Sequence, residues 1–254
     1  MKPVDNSGSR GVTLVTNQKQ INSAYQFSRS NSRNGEVIVE EYLQGSEVSV
    51  ETFTKEGITC ALAITDKLTT GAPHFVEKGH SQQSQLSSSD KQQISDLAIN
   101  AVNAVGINIG PAHVEIMMTK HGPKIIELGA RLGGDCITSH LVPLSTGIDL
   151  VGATIDCVVG GIPDLAPKMS KGSAIRYFMA PEGVIRSINH VDKATNIPGI
   201  REISFSKNVG DLSVEIKSSS DRIGFVIAQA NTAKEAISIC ESAIETVQID
   251  VSNN

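Results

Sequence analysis

Ala112-His113-Val114-Glu115-Ile116-Met117, a turn at Lys120-His121-Gly122-Pro123, then Ile125-Ile126-Glu127-Leu128-Gly129-Ala130-Arg131-Leu132-Gly133-Gly134-Asp135: this stretch decides the fold. It predicts two strands, 112–118 and 124–128, joined by a five-residue turn. Short apolar runs suit strands and Gly-Pro suits a turn. Each strand carries one acid in an otherwise apolar run, Glu115 and Glu127, and the hairpin brings both to one face. Unpaired carboxylates there are costly and call for a cation. Hard oxygen ligands suit Mg²⁺ bridging phosphates, and the alternative is a structural ion pair with Arg131. The metal is the expectation, because Arg131 has a use of its own. Its planar guanidinium suits two-point contact with a carboxylate or a developing oxyanion. Gly133 and Gly134 expose N–H groups at an expected helix start, a further anion site.

Two upstream segments fit the same chemistry. Lys2-Pro3-Val4-Asp5-Asn6-Ser7-Gly8-Ser9-Arg10-Gly11-Val12 is glycine- and hydroxyl-rich, so its backbone N–H groups are free to converge on an anion. No GK[ST] follows, and the loop leads towards a β-branched run rather than a helix, which excludes a Walker loop and a Rossmann turn. A plain hairpin connection is the alternative. Glu36–Glu40 reads as a strand that leaves into a linker, Glu40-Glu41-Tyr42-Leu43, offering a carboxylate and backbone groups to an adenine edge. Glu47, four residues beyond Leu43, is placed to hold two ribose hydroxyls. Taken singly, a solvated acidic strand end is the better explanation of these acids.

Working outward, the first half alternates strands and helices. Val12–Thr16 is a short β-branched run, and Asn17 is suited to cap a helix carrying Ile21, Ala24, Tyr25 and Phe27. Glu47–Phe53 and Ile58–Ile64 form a hairpin, with Val48, Val50 and Phe53 on one buried face. Residues 68–85 are polar and interrupted by Gly71, Pro73 and Gly79, and read as a long loop. Ser88 or Ser89 caps a helix with Ile94, Leu97, Ala98, Ala101, Val102 and Val105 at helical spacing. Two helices follow, near 137–144 and 149–159. Beyond Gly160-Gly161-Ile162-Pro163, strands at 173–179, 200–205 and 223–228 and a helix at 232–247 indicate a small α+β subdomain. The expected division is 1–44, 45–165 and 166–254.

Of 254 residues, 39% are hydrophobic and 19% charged, ordinary for a globular protein, with a net charge of -5. That acidity argues against a nucleic-acid-binding surface, so phosphates must be met by a few placed cations. Cys60, Cys136, Cys157 and Cys240 lack CxxC spacing, which argues against a disulfide framework or a zinc site. No apolar run reaches the roughly 20 residues of a membrane span, and a cytoplasmic location is expected. The chain enters its glycine-rich stretch at once, which suggests that an N-terminal segment is missing.

Together, in this order, these features resemble the ATP-grasp superfamily over essentially the whole chain. The Gly129–Asp135 run and Phe75-Val76-Glu77-x-Gly79-His80 look most like its L-amino-acid ligase group, and the tail around Arg222–Ala228 is similar to the C-terminal cap of carboxylase-like members. The resemblance implies an α/β (α+β) ATP-grasp fold with a C-terminal α+β subdomain, truncated at the N-terminus. It implies ATP and Mg²⁺, or Mn²⁺ in its place, and a carboxylate activated as an acyl-phosphate for attack by an amine. Lys2, and less strongly Lys67, would contact phosphates, with Gly8, Ser9 and Gly11 closing over them. Glu40, Glu41 and Leu43 would read adenine and Glu47 the ribose. Glu115 and Glu127 would carry the metal, Arg131 would steady the reacting acyl group with Gly133 and Gly134, and His80 would line the acceptor pocket. Gly129 departs from the family pattern, which has a metal-binding Asn there. The expected partners are small-molecule carboxylates and amines, amino acids among them, with a homodimer allowed. Bicarbonate-activating and glycinamide-forming chemistry are the neighbouring alternatives, as is a non-catalytic ATP-binding module. The fragment alone is expected to be inactive.

Overall fold

The computed structural model describes residues 1–252. Strand β1 (Lys2–Pro3) pairs with β2 (Val37–Ile38), and helix α1 (Ile21–Ser30) packs on this pair. Then follow β3 (Ser46–Lys55), β4 (Ile58–Thr69), β5 (Glu77–Gln82), helix α2 (Ser88–Ala104), β6 (Gly110–Thr119) and β7 (Gly122–Gly129). The second half contains α3 (Val142–Thr146), α4 (Leu150–Val158), β8 (Gly172–Phe178), β9 (Gly183–Asn189) and α5 (Val191–Thr195). It ends with β10 (Ile200–Phe205), β11 (Leu212–Ser213), β12 (Gly224–Ala230), α6 (Ala233–Thr246) and β13 (Gln248–Ser252). Eight strands form one antiparallel sheet in the order β10-β12-β8-β5-β4-β3-β6-β7, and β11-β9-β13 form a smaller one.

The large sheet is covered differently on its two faces. Ile94, Ala98 and Val102 of α2 pack on Val48, Val50, Val114 and Ile116. On the same face, Ala236, Cys240 and Ala243 of α6 pack on Ala174, Val226 and Ala228. The opposite face is covered by Leu141, Val142 and Leu150 against Phe53, Ile175 and Ile227. The remainder of that second face carries Glu47, Glu51, Lys67, His80, His113, Glu115 and Glu127, because each alternates with the apolar set along its strand.

Several expectations are corrected here. The stretch 68–85 contains β5, bonded on both edges to β4 and β8, so it welds the C-terminal strands to the first half. Its polar residues Gln82 and His80 are buried because they find partners: Gln82 donates to Thr65 Oγ1 and accepts from Ser145 Oγ. Residues 12–16 form no strand; Met1 and Thr13 exchange backbone hydrogen bonds at one point only. Strand β9, unforeseen, is the central strand of the small sheet, with Ile185 buried. Asn17 caps a three-residue 3₁₀ turn ahead of α1 rather than α1 itself, and Tyr25 and Phe27 of α1 are exposed. In β3 the polar side is buried too, with Glu51 1% exposed, and Phe53 lies on that side rather than with Val48 and Val50. Strict alternation along β3 from Glu51 puts it there; the bulge in the β3–β4 ladder falls on β4, at Leu62. The β6–β7 turn tightens to Lys120-His121, with Pro123 tolerated because β7 is an edge strand.

Candidate functional site

A cleft of about 690 Å³ separates the β1–β2 unit from the polar face of the sheet. Lys2, Gly8, Ser9, Glu40, Glu41 and Leu43 line it, opposite Glu47, Lys67, Glu115, Glu127 and Arg131. Thus eleven positions scattered between residues 2 and 131 converge on one space. Lys2 Nζ lies 2.9 Å from Glu40 Oε2, while Glu41 pairs with Lys124 at 3.2 Å in solvent. Ser9 Oγ donates to the Phe75 carbonyl (3.0 Å) and the Ser219 amide donates to the Gly8 carbonyl (3.2 Å). The glycine-rich loop is therefore tethered over the cleft from two sides.

At the cleft floor Glu115 and Glu127 stand opposite each other on β6 and β7. A bulge between Glu115 and Ile116 makes this so; an unbroken ladder from the turn would set Ile126 there. Lys67, 5% exposed, reaches Glu47 (2.6 Å), Glu115 (3.2 Å) and Glu77 (3.8 Å). Burial alone would lower the Lys67 pKa, but Glu115, Glu47 and Glu77 together raise it. Burial would likewise raise that of Glu115, yet Lys67 and His113 hold it well below the carboxylate range. His113 sits between Glu51 (Nδ1 to Oε1, 2.6 Å) and Glu115 (Nε2 to Oε1, 3.3 Å). Those two carboxylates overcome burial and raise it to about 9. Arg131 Nη2 lies 3.8 Å from Glu127 Oε1, both half-exposed.

Four expected site residues lie outside the cleft wall. Gly11 is buried at φ +79°, where an added Cβ would sit 2.7 Å from Asn31 Cβ, so it anchors the base of the loop. Gly133 and Gly134 do not start a helix. The left-handed Asp135 and Cys136 (φ 51° and 60°) follow, and a π-type turn begins only at Ile137. His80, 2% exposed, faces Asp135 (Nε2 to Oδ2, 3.2 Å) with its Nδ1 unpartnered, and its ring meets Tyr177 edge-on. Arg222 donates to both Asp135 oxygens (2.9 and 2.7 Å) and stacks on Tyr177, 3.6 Å from the ring centroid. Burial would raise the Asp135 pKa, but Arg222 and His80 lower it far more. Glu51, Glu77, Asp135, Tyr177 and Arg222 were not singled out as site residues. Glu51 and Tyr177 show only as polarity inside strand patterns, whereas Glu77, Asp135 and Arg222 lie within the stretches that carry the family resemblance.

The family profile for the ATP-grasp domain matches residues 1–139, more than half of the chain. The chain belongs to the ATP-grasp family. A second profile, L-amino acid ligase C-terminal domain 2, matches residues 176–252 of this ATP-grasp chain. Protein y4rH of Sinorhizobium fredii is 28% identical over 99% of the chain and 53% of its own length. Dapdiamide A synthase of Enterobacter agglomerans is 23% identical over 90% of the chain and 56% of its own length. In fold, the crystal structure of an L-amino acid ligase from Bacillus licheniformis superposes with a TM-score of 0.81. It is 21% identical over 99% of the chain and 63% of the solved one. The ATP-grasp chain therefore spans little more than half the length of the curated relatives named here.

Do the residues fit a divalent ion? Among the described residues no group of three or more His, Cys, Asp or Glu could hold one alone. Glu115 and Glu127 supply two hard oxygen donors at the cleft floor, and Gly129 supplies none. That set fits Mg²⁺, which is commonly held by one or two carboxylates plus phosphates and waters rather than by an all-protein cage.

Proposed function

We propose that this chain supplies the nucleotide-handling part of an ATP-dependent carboxylate–amine ligase working on amino acids, or molecules like them, in the cytoplasm. The observation that carries this reading is the convergence of Lys2, Lys67, Glu115, Glu127 and Arg131 on one cleft beneath a tethered glycine-rich loop. The similarity to dapdiamide A synthase and to an L-amino acid ligase supports it.

In this proposal the substrate carboxylate attacks the γ-phosphorus of ATP, ADP leaves, and an acyl-phosphate forms. An amine then attacks the acyl carbon, phosphate leaves, and the amine proton is released. Lys2 and Lys67 face the phosphates as point charges, and Arg131 presents two donors to the carboxylate and to the oxyanion that follows. Glu40, Glu41 and Leu43 border the adenine and Glu47 the ribose. Gly8 and Ser9 exclude water that would hydrolyse the acyl-phosphate. Glu115 and Glu127 would hold Mg²⁺, which neutralises phosphate charge. His80 faces the acceptor side from behind Asp135.

The test measures binding of a fluorescent ATP analogue to the chain with and without Mg²⁺, and ADP release for a panel of amino-acid pairs from the complete enzyme that contains it. Metal-dependent nucleotide binding by the chain is expected, with ADP release for particular pairs from the complete enzyme. Nucleotide binding indifferent to Mg²⁺ would defeat the reading, and Mg-dependent binding with no ADP release from the complete enzyme for any pair would favour a non-catalytic module.

A further inference from the structure

Glu51 is the most deeply buried acid on the site face, 1% exposed, yet no Lys or Arg lies within salt-bridge distance among the described residues. Such a group is expensive to bury and persists when another group depends on it. Its Oε1 is 2.6 Å from His113 Nδ1, and its Oε2 accepts a long hydrogen bond (3.4 Å) from Thr138 Oγ1. Glu51 and His113 are opposite in register on β3 and β6, so the backbone ladder fixes their spacing. The other ring nitrogen, Nε2, faces Glu115 Oε1 at 3.3 Å, while Lys67 holds Glu115 Oε2 at 3.2 Å. Glu115 thus has one oxygen held from the protein interior and one held from the cleft.

The pair touches a second wall of the site. A Cβ at Gly133 would sit 2.8 Å from both Glu51 carboxylate oxygens and from His113 Nδ1. The turn bearing Arg131 therefore rests directly on Glu51 and His113, which set how deep it lies.

We propose that Glu51 and His113 are positioning residues that fix the orientation of the Glu115 carboxylate towards the nucleotide-bound divalent ion. This rests on the reading of Glu115 as a ligand of that ion. Partners behind metal ligands commonly govern affinity in this way. The arrangement acts through one geometric link, Nε2 to Oε1, which an Asn at 113 cuts and a Gln at 113 keeps. An Asn amide nitrogen overlies Nδ1 and still donates to Glu51, whereas that of Gln overlies Nε2 and reaches Glu115.

The experiment titrates Mn²⁺ into the chain with saturating ATP, read by the electron paramagnetic resonance of free Mn²⁺. ATP affinity without metal is measured alongside, and folding is checked by circular dichroism. His113→Asn is expected to weaken Mn²⁺ binding by about 10-fold or more. His113→Gln stays several times closer to wild type, and metal-free ATP affinity is unchanged in both. A merely structural role for His113 predicts the reverse order, because Asn preserves the partner of buried Glu51. Should His113→Asn not fold, the isosteric Glu51→Gln carries the same expected loss of Mn²⁺ affinity. Glu115→Gln separates the two readings. If it abolishes Mn²⁺ binding while His113→Asn or Glu51→Gln leaves it intact, the positioning role is overturned and the metal role stands. If Glu115→Gln, or ATP itself, makes no difference to Mn²⁺ binding, both are overturned.

Discussion

Asp135 chelates Arg222 through both carboxylate oxygens, at 2.7 and 2.9 Å, tying the turn after β7 to the start of β12 beside His80. The two residues are far apart in sequence and belong to segments matched by no common family profile, yet they close one corner of the site. The left-handed backbone at Asp135 (φ 51°) shows that the turn is held in this form by its contacts.

Replacing Asp135 with Asn should cost about 2 kcal/mol at pH 7, the scale of a charge-assisted hydrogen bond lost from a partly buried pair. The Asp135 pKa is lowered in the folded chain. Its contribution is therefore fully present above the unfolded-state value near 4 and is lost as pH falls towards the folded value. Urea denaturation of wild type and Asp135→Asn should give a constant difference from pH 5 to 7 that shrinks below about pH 4. A difference that grows on acidification would contradict the pairing.

Lys67→Met should leave Glu47, Glu77 and Glu115 facing one another without their cation. Removing one member of a buried ion pair typically costs about 3–5 kcal/mol, and three acids make the upper end the expectation here. The bereft carboxylates should then bind a cation themselves. Added Mg²⁺ is expected to raise the melting temperature of Lys67→Met more than that of wild type. Equal responses would show that the acids do not form a shared cation site.

Gly11→Ala combines a left-handed residue with a contact at 2.7 Å, whereas Gly57, at φ +77°, has nothing within 4 Å of its Cβ position. Gly57→Ala should cost about 1 kcal/mol from backbone strain alone. Gly11→Ala should exceed it by roughly 1–2 kcal/mol through overpacking against Asn31 and Pro3. Calorimetric unfolding of the two variants measures the difference, and equal losses would remove the packing role of Gly11.

Gly129→Asn would add an oxygen donor beside Glu127. It should tighten Mn²⁺ binding in the presence of ATP by about tenfold, the order by which ligand number tunes such sites. An added Cβ would sit 3.2 Å from Arg131 Cγ and Nε, so the arginine must swing aside. Unchanged Mn²⁺ affinity in a folded variant would mean that position 129 does not face the ion.

Local pattern determined a good part of this protein. The Glu115–Glu127 hairpin, the amphipathic α2 and α6 and the linker at residues 40–43 follow from side-chain period and capping chemistry, which act over a few residues. Motif order along one chain carried the family. Tertiary structure decided what lies behind those motifs. Residues 77–82 read as loop because they are polar, and become β5 because Thr65, Ser145 and Asp135 satisfy them from other elements. A one-residue bulge, invisible to a hydrophobic pattern, sets Glu127 rather than Ile126 opposite Glu115. The Lys67 cluster, the Glu51–His113–Glu115 chain and the Asp135–Arg222 pair each join residues from separate strands or turns, Glu51 and His113 being 62 positions apart and Asp135 and Arg222 87. A buried charge is stable only where a specific partner meets it, and sequence period states that a residue is buried without stating by whom.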